Sequence, residues 1–122
     1  MFKPTADLAE IKKFIVEAVK NAGPDACPPY FVGVGIGGTA DYAMYLAKKA
    51  LLHKVPASKS KLPTLESELI KSINKLNIGP MGLGGKATCL GVHIEKYPTH
   101  IAGLPVAVNI SCHALRSATA IL

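Results

Sequence analysis

The chain has 122 residues, 49% of them apolar, with 14 lysines and arginines against 8 acids and a formal charge of +6. That length bounds it to one domain with a modest core, and the apolar content excludes disorder. No apolar run nears the roughly 18 residues of a membrane-spanning helix, and the lysines are spread along the chain rather than clustered with aromatics, which argues against nucleic acid. The basic excess fits a small anionic substrate or an acidic partner instead. Met1–Lys20 is amphipathic and carries acids, unlike a secretory leader, and the three cysteines lack a disulfide pattern. A reducing cytoplasm is the expected compartment.

In chain order, Leu8, Ile11, Ile15, Ala18 and Val19 recur at helical spacing. Asp7 with Glu10 has N-cap spacing and Gly23-Pro24 is a stop, so a helix is expected over about Ala6–Asn21. Cys27-Pro28-Pro29-Tyr30 follows, a thiol on a segment that two prolines make rigid and non-helical. Phe31–Ile36 then reads as a short strand with glycine on alternate positions. Gly37-Gly38-Thr39 leads into a second helix, Ala40–Leu52, with Ala43, Leu46, Ala47, Ala50 and Leu51 facing inward.

Gly33, Gly35 and Gly38 carry the GxGxxG spacing of dinucleotide sites. The acid expected about 20 residues on is missing, because Val55–Leu62 is a Lys/Ser/Pro loop. A nucleotide-binding module is therefore a minor alternative. Val55–Pro63 is a polar connection, and Thr64 caps a third helix reaching about Leu76. Four glycines, Gly79, Gly82, Gly84 and Gly85, then free the backbone for φ > 0 or close approach. Two apolar strand candidates follow, Thr88–Ile94 and Leu104–Ile110, with Pro98-Thr99-His100 between them and Ser111-Cys112-His113 after them. The order predicts a mixed α/β (α+β) domain of three helices with short strands.

Cys27, Cys89 and Cys112 are the three cysteines, and none forms a CxxC pair. Three readings fit that spacing. The thiols are packed hydrophobes, or they hold zinc with His93, His100 or His113, or they hold an iron–sulfur cluster with one open iron. His100, placed between Pro98 and an apolar run, is either a structural imidazole or a group that binds a carboxylate or moves a proton. His53 reads as a surface residue at a helix end, and His93 as a packed strand residue.

Four motifs in one order decide among these. CPPY (Cys27–Tyr30) with GVGIGGTA, LAKKAL (Leu46–Leu51), NIGPMGLGGK (Asn77–Lys86) and PTHIAGLPVAVNISCHALR (Pro98–Arg116) together resemble the class I fumarases. The closer likeness is to the α subunit of the two-subunit fumarate hydratase and L(+)-tartrate dehydratase type. The resemblance implies an iron–sulfur hydro-lyase acting on a dicarboxylate, by hydration of fumarate to malate or dehydration of L-tartrate. It implies a [4Fe–4S] cluster with Cys27 and Cys112 as two ligands, His100 in contact with substrate, and Cys89 outside the ligand set. It further implies that the third ligand lies N-terminal to this chain and the catalytic base in a β subunit. Residues 1–122 then read as one partial domain, the C-terminal half of an α subunit, inactive alone and part of a hetero-oligomer. The alternative is a non-catalytic subunit or remnant that binds a β-type partner.

Overall fold

A computed structural model describes residues 1–56 and 62–122. The elements are α1 (Leu8–Ala22), β1 (Tyr30–Gly38), α2 (Ala40–Ala50), α3 (Thr64–Asn74), β2 (Cys89–Thr99) and β3 (Val106–Ser111), with short 3₁₀ turns between some of them. Three helices and a mixed sheet make an α+β domain, as the sequence predicts. No helix among the described residues is long and apolar enough to cross a membrane. Part of the expected Val55–Pro63 connection lies outside the described residues.

The sheet has the order β2-β1-β3, with β1 central. β2 runs parallel to it, from Tyr30 opposite Cys89 to Gly38 opposite Thr99. β3 runs antiparallel, from Ile36 opposite Val106 to Phe31 opposite Ser111. The sheet thus has two ends: one at Tyr30, Cys89 and Ser111, the other at Gly38, Thr99 and Val106.

The alternation in β1 sorts its two faces. Tyr30, Val32 and Val34 are buried in a core with Ile11, Ile15 and Val19 of α1 and Leu69 and Ile73 of α3. Gly33 and Gly35 face α2 on the other side, where a Cβ on Gly35 would overlap the carbonyl oxygen of Ala43 and lie 2.7 Å from the amide nitrogen of Ala47. A Cβ on Gly33 would overlap the carbonyl of Ala47 and approach Leu51. The contact is backbone on backbone, made possible by glycine on the strand and by Ala43, Ala47 and Ala50 on the helix. Gly33 and Gly35 therefore sit within a strand and serve packing. They form no phosphate-binding loop, which removes the structural basis for the nucleotide reading.

Several boundaries depart from sequence expectation. Thr64 is the first helical residue of α3, and Pro63 takes the cap position. Asp7 stands at the N-cap of α1, but its side chain makes no capping bond. β2 runs on through Glu95–Thr99 because those residues still pair with Gly35–Gly38. Their side chains are mostly exposed, and an edge strand tolerates polar residues and proline. β3 starts two residues later than expected because Leu104 pairs with Phe2 through two backbone hydrogen bonds of 2.9 and 3.0 Å. His93 is a packed strand residue, 3% exposed. Its buried Nε2 has no partner among the described residues, and burial, aided by nearby His53, holds its pKa below the usual value.

Because α2 is seated by bare backbone, Gly35→Ala is expected to destabilise the chain by on the order of 1–3 kcal/mol or more, the usual range for an overpacked contact. Urea denaturation followed by circular dichroism reads this out. An unchanged midpoint would mean that α2 is not pressed against β1.

Candidate cysteine centre and the histidine end

At the Tyr30 end of the sheet, three remote segments meet. The first is the turn before β1, where Cys27 adopts φ 55°, ψ 71°. A left-handed backbone is uncommon for a residue with a Cβ. The second is the segment after β3, where Cys112 opens a 3₁₀ turn. The third is the glycine loop, in which Gly79, Gly82, Gly84 and Gly85 all have positive φ, as the sequence predicts. Met81 donates its amide to the Pro28 carbonyl at 2.9 Å. A side chain on Gly82 would collide with Pro24, so the loop lies directly on the Cys27 segment.

Cys27 and Cys112 are joined through the residue between β3 and the chain's last segment. The His113 amide donates to the Cys27 carbonyl at 3.3 Å, and His113 Nδ1 lies 3.0 Å from the same oxygen. Cys112 Sγ accepts the Ala114 amide at 3.4 Å and sits 3.7 Å from His113 Nδ1. Both thiols are half-buried. Arg116 Nε donates to the His113 carbonyl at 3.0 Å. Arg116 also lines a cavity of about 770 Å³ with Phe31, His53, Lys54, Leu90 and the residues that follow the turn.

Cys89 begins β2 at the same end but differs in kind. It is 4% exposed, its Sγ donates to the Gly91 carbonyl at 3.3 Å, and burial pushes its pKa up to about 12. Its amide and that of Thr88 both donate to Asn74 Oδ1 at 2.9 Å, which ties the strand start to the end of α3. A protonated, buried thiol is a poor metal ligand, since the thiolate is the species that ligates. Among the described residues, no three His, Cys, Asp or Glu side chains gather closely enough to hold a metal ion by themselves.

His100 lies at the opposite end. It lines a cavity of about 470 Å³ with Gly38, Thr39, Asp41, Tyr42, Tyr97 and Pro98, at the start of α2. The Ala102 amide donates to His100 Nδ1 at 3.1 Å, so in the neutral ring Nε2 carries the proton and is a donor. Thr99 Oγ1 donates to the Gly103 carbonyl at 2.6 Å and closes the loop around His100. The Thr39 hydroxyl, with the Asp41 and Tyr42 amides, keeps the Asp41 carboxyl below its ordinary pKa.

The structure therefore brings Cys27 and Cys112 together and sets His100 apart from them. β1 has nine residues, which at about 3.3 Å per residue separates the two ends by roughly 26 Å. The roles of His113, Arg116 and Asn74 were not legible as motifs. Each acts on a backbone group, a partnership that sequence spacing does not encode.

Native-state alkylation separates the thiols. Iodoacetamide at pH 8 is expected to label Cys27 and Cys112 and to leave Cys89 unlabelled until the chain is denatured, as read by peptide mass spectrometry. Labelling of Cys89 at the rate of the other two would contradict its burial.

Residues 1–121 match the family described as fumarate hydratase (Fumerase). The chain is 50% identical over 120 residues to the "Putative L(+)-tartrate dehydratase subunit alpha" of Methanocaldococcus jannaschii, covering 97% of this chain and 42% of that protein. It is 36% identical over 118 residues to the L(+)-tartrate dehydratase subunit alpha of Escherichia coli K12, covering 95% of this chain and 39% of that one. The chain thus spans about two fifths of the length of these relatives. With the match running almost from end to end, the chain belongs to the fumarate hydratase (Fumerase) family.

Proposed function

We propose that the chain is part of an α-type subunit of an iron–sulfur hydro-lyase. Its Cys27–Cys112 end would hold two corners of a [4Fe–4S] cluster, with the third thiolate and a β-type partner coming from outside these 122 residues. The substrate is a C4 dicarboxylate, hydrated as fumarate or dehydrated as L-tartrate, the latter supported by the names of the relatives. The observation that carries the reading is the pairing of two half-exposed cysteines from segments 85 residues apart, while the third is buried and protonated.

The donor set fits such a group. Cys112 Sγ already accepts an amide N–H, as a ligating sulfur does, and the glycine-rich loop lies against the Cys27 segment through the Met81 amide and Gly82. When bound, a cluster with one iron free of protein thiolate supplies a Lewis acid for a hydroxyl or carboxylate oxygen. The chain's own residues hold and orient. Arg116, bonded to the His113 carbonyl in the turn that Cys112 opens, brings a positive charge to that turn for a dianion. His100 Nε2–H, fixed by the Ala102 amide, is a directed donor for a carboxylate.

The distance between the two ends adds a condition. One copy does not span the gap, so a site that uses both His100 and the cysteines draws them from two copies.

Anaerobic reconstitution of the complete α subunit that carries this chain tests the cysteine assignment. Cys27→Ala and Cys112→Ala are each expected to abolish bound iron and sulfide after gel filtration, and Cys89→Ala to leave both in place. Loss with Cys89→Ala equal to the others, in a variant that still folds, would refute the ligand set. For the shared site, a His100→Ala copy and a Cys112→Ala copy, each inactive in fumarate hydration and tartrate dehydration, are co-assembled with the β partner. Recovered activity is expected. A mixture as inactive as its parents would show that His100 and Cys112 do not serve one site across copies.

A further inference from the structure

We propose that His113 is a positioning residue that locks the Cys27 and Cys112 segments together, so that the two thiols serve one centre. The proposal rests on the cluster reading above for its purpose, but its geometry stands without it. Cys27 precedes β1 and Cys112 follows β3, and the pairing of these two strands ends at Phe31 opposite Ser111. Beyond that last rung the strands no longer hold them. His113 takes over there, with two donors on one oxygen: its amide at 3.3 Å and its ring Nδ1 at 3.0 Å, both to the Cys27 carbonyl.

A carbonyl oxygen only accepts, so Nδ1 carries the proton and the ring's orientation is fixed. Among the described residues this is the one side-chain bond between the two cysteine segments. Its importance follows from the backbone it restrains. Cys27 is left-handed at φ 55°, a conformation that a residue with a Cβ adopts only at a steric cost. Pro28 fixes the backbone on the far side of the Cys27 carbonyl, so the loose torsion is ψ of Cys27, and without the ring's bond only the longer amide contact at 3.3 Å restrains it. His113 is itself held from the other side, its carbonyl accepting from Arg116 Nε at 3.0 Å and from the Arg116 amide at 3.2 Å. The Cys112 carbonyl accepts the Leu115 amide at 3.1 Å, so the whole turn is rigid before it reaches Cys27.

The test uses three variants. His113→Asn keeps an N–H donor at the δ position, His113→Gln moves it one atom further out, and His113→Leu removes it. In the reconstituted α subunit, the half-life of the cluster absorption under an iron chelator is the first readout. About a tenfold shortening is expected for Gln and Leu, in line with losses seen when orienting partners of metal ligands are removed, with near-wild-type behaviour for Asn. The second readout needs no cluster. The iodoacetamide rate at Cys27 in the cluster-free chain is expected to change several-fold in Gln and Leu and to return with Asn.

If wild type holds no cluster yet the Cys27 rates follow this order, the cluster reading fails and the clamp stands. If Leu unfolds, the Asn and Gln pair decides by itself. Unchanged half-life and unchanged Cys27 rate in the Gln variant would overturn the proposal. So would equal losses in Asn and Gln, because the imidazole would then act by something other than its δ-position donor.

Discussion

Everything else in this fold is placed by the contact between α2 and the bare glycine face of β1. A helix normally rides on a strand at the distance its side chains dictate. Here Gly33 and Gly35 let the carbonyls of Ala43 and Ala47 come down onto the strand backbone, which fixes the helix's height and its position along β1. The opposite face of the same strand carries Tyr30, Val32 and Val34 into the α1 and α3 core. One strand thus offers a face with no side chains and a face of large ones, and the domain's layers follow from that difference. The start of α2 beside His100 and its final turn beside the cysteine end are both held by this seating.

The helices were readable because each buries one stripe, and a period of 3.6 leaves a trace in sequence. α1, α2 and α3 each fall within a few residues of expectation. Strand ends were less readable, because Glu95–Thr99 and Leu104 are placed by backbone partners, Gly35–Gly38 and Phe2, rather than by their own side chains. Alternate glycines were visible as a pattern, but their use was not. The same spacing serves a phosphate loop or a packed strand, and only the position of α2 distinguishes the two.

The candidate site divided in the same manner. Motif resemblance singled out Cys27, Cys112 and His100 without saying which of them are neighbours. Antiparallel β3 returns the chain from the His100 end to the Cys27 end, so two residues only twelve apart in sequence finish at opposite ends of a sheet. His113 is the reverse case: it lies 86 residues from Cys27 and touches its carbonyl. Cys89 shows why counting ligand-type residues misleads. It has the right element and the right neighbourhood, but burial keeps its proton on.

β3 has a further consequence. Its six residues, Val106–Ser111, include no charge and no proline, and its outer side has no strand beside it among the described residues. The other outer strand, β2, carries Glu95, Lys96 and Pro98, the usual deterrents to unwanted pairing. The two margins of the sheet are therefore unequal in kind: one is guarded against strangers and the other is left adhesive. For a chain made by itself, those six residues offer unpaired backbone groups on which a strand of another copy can add.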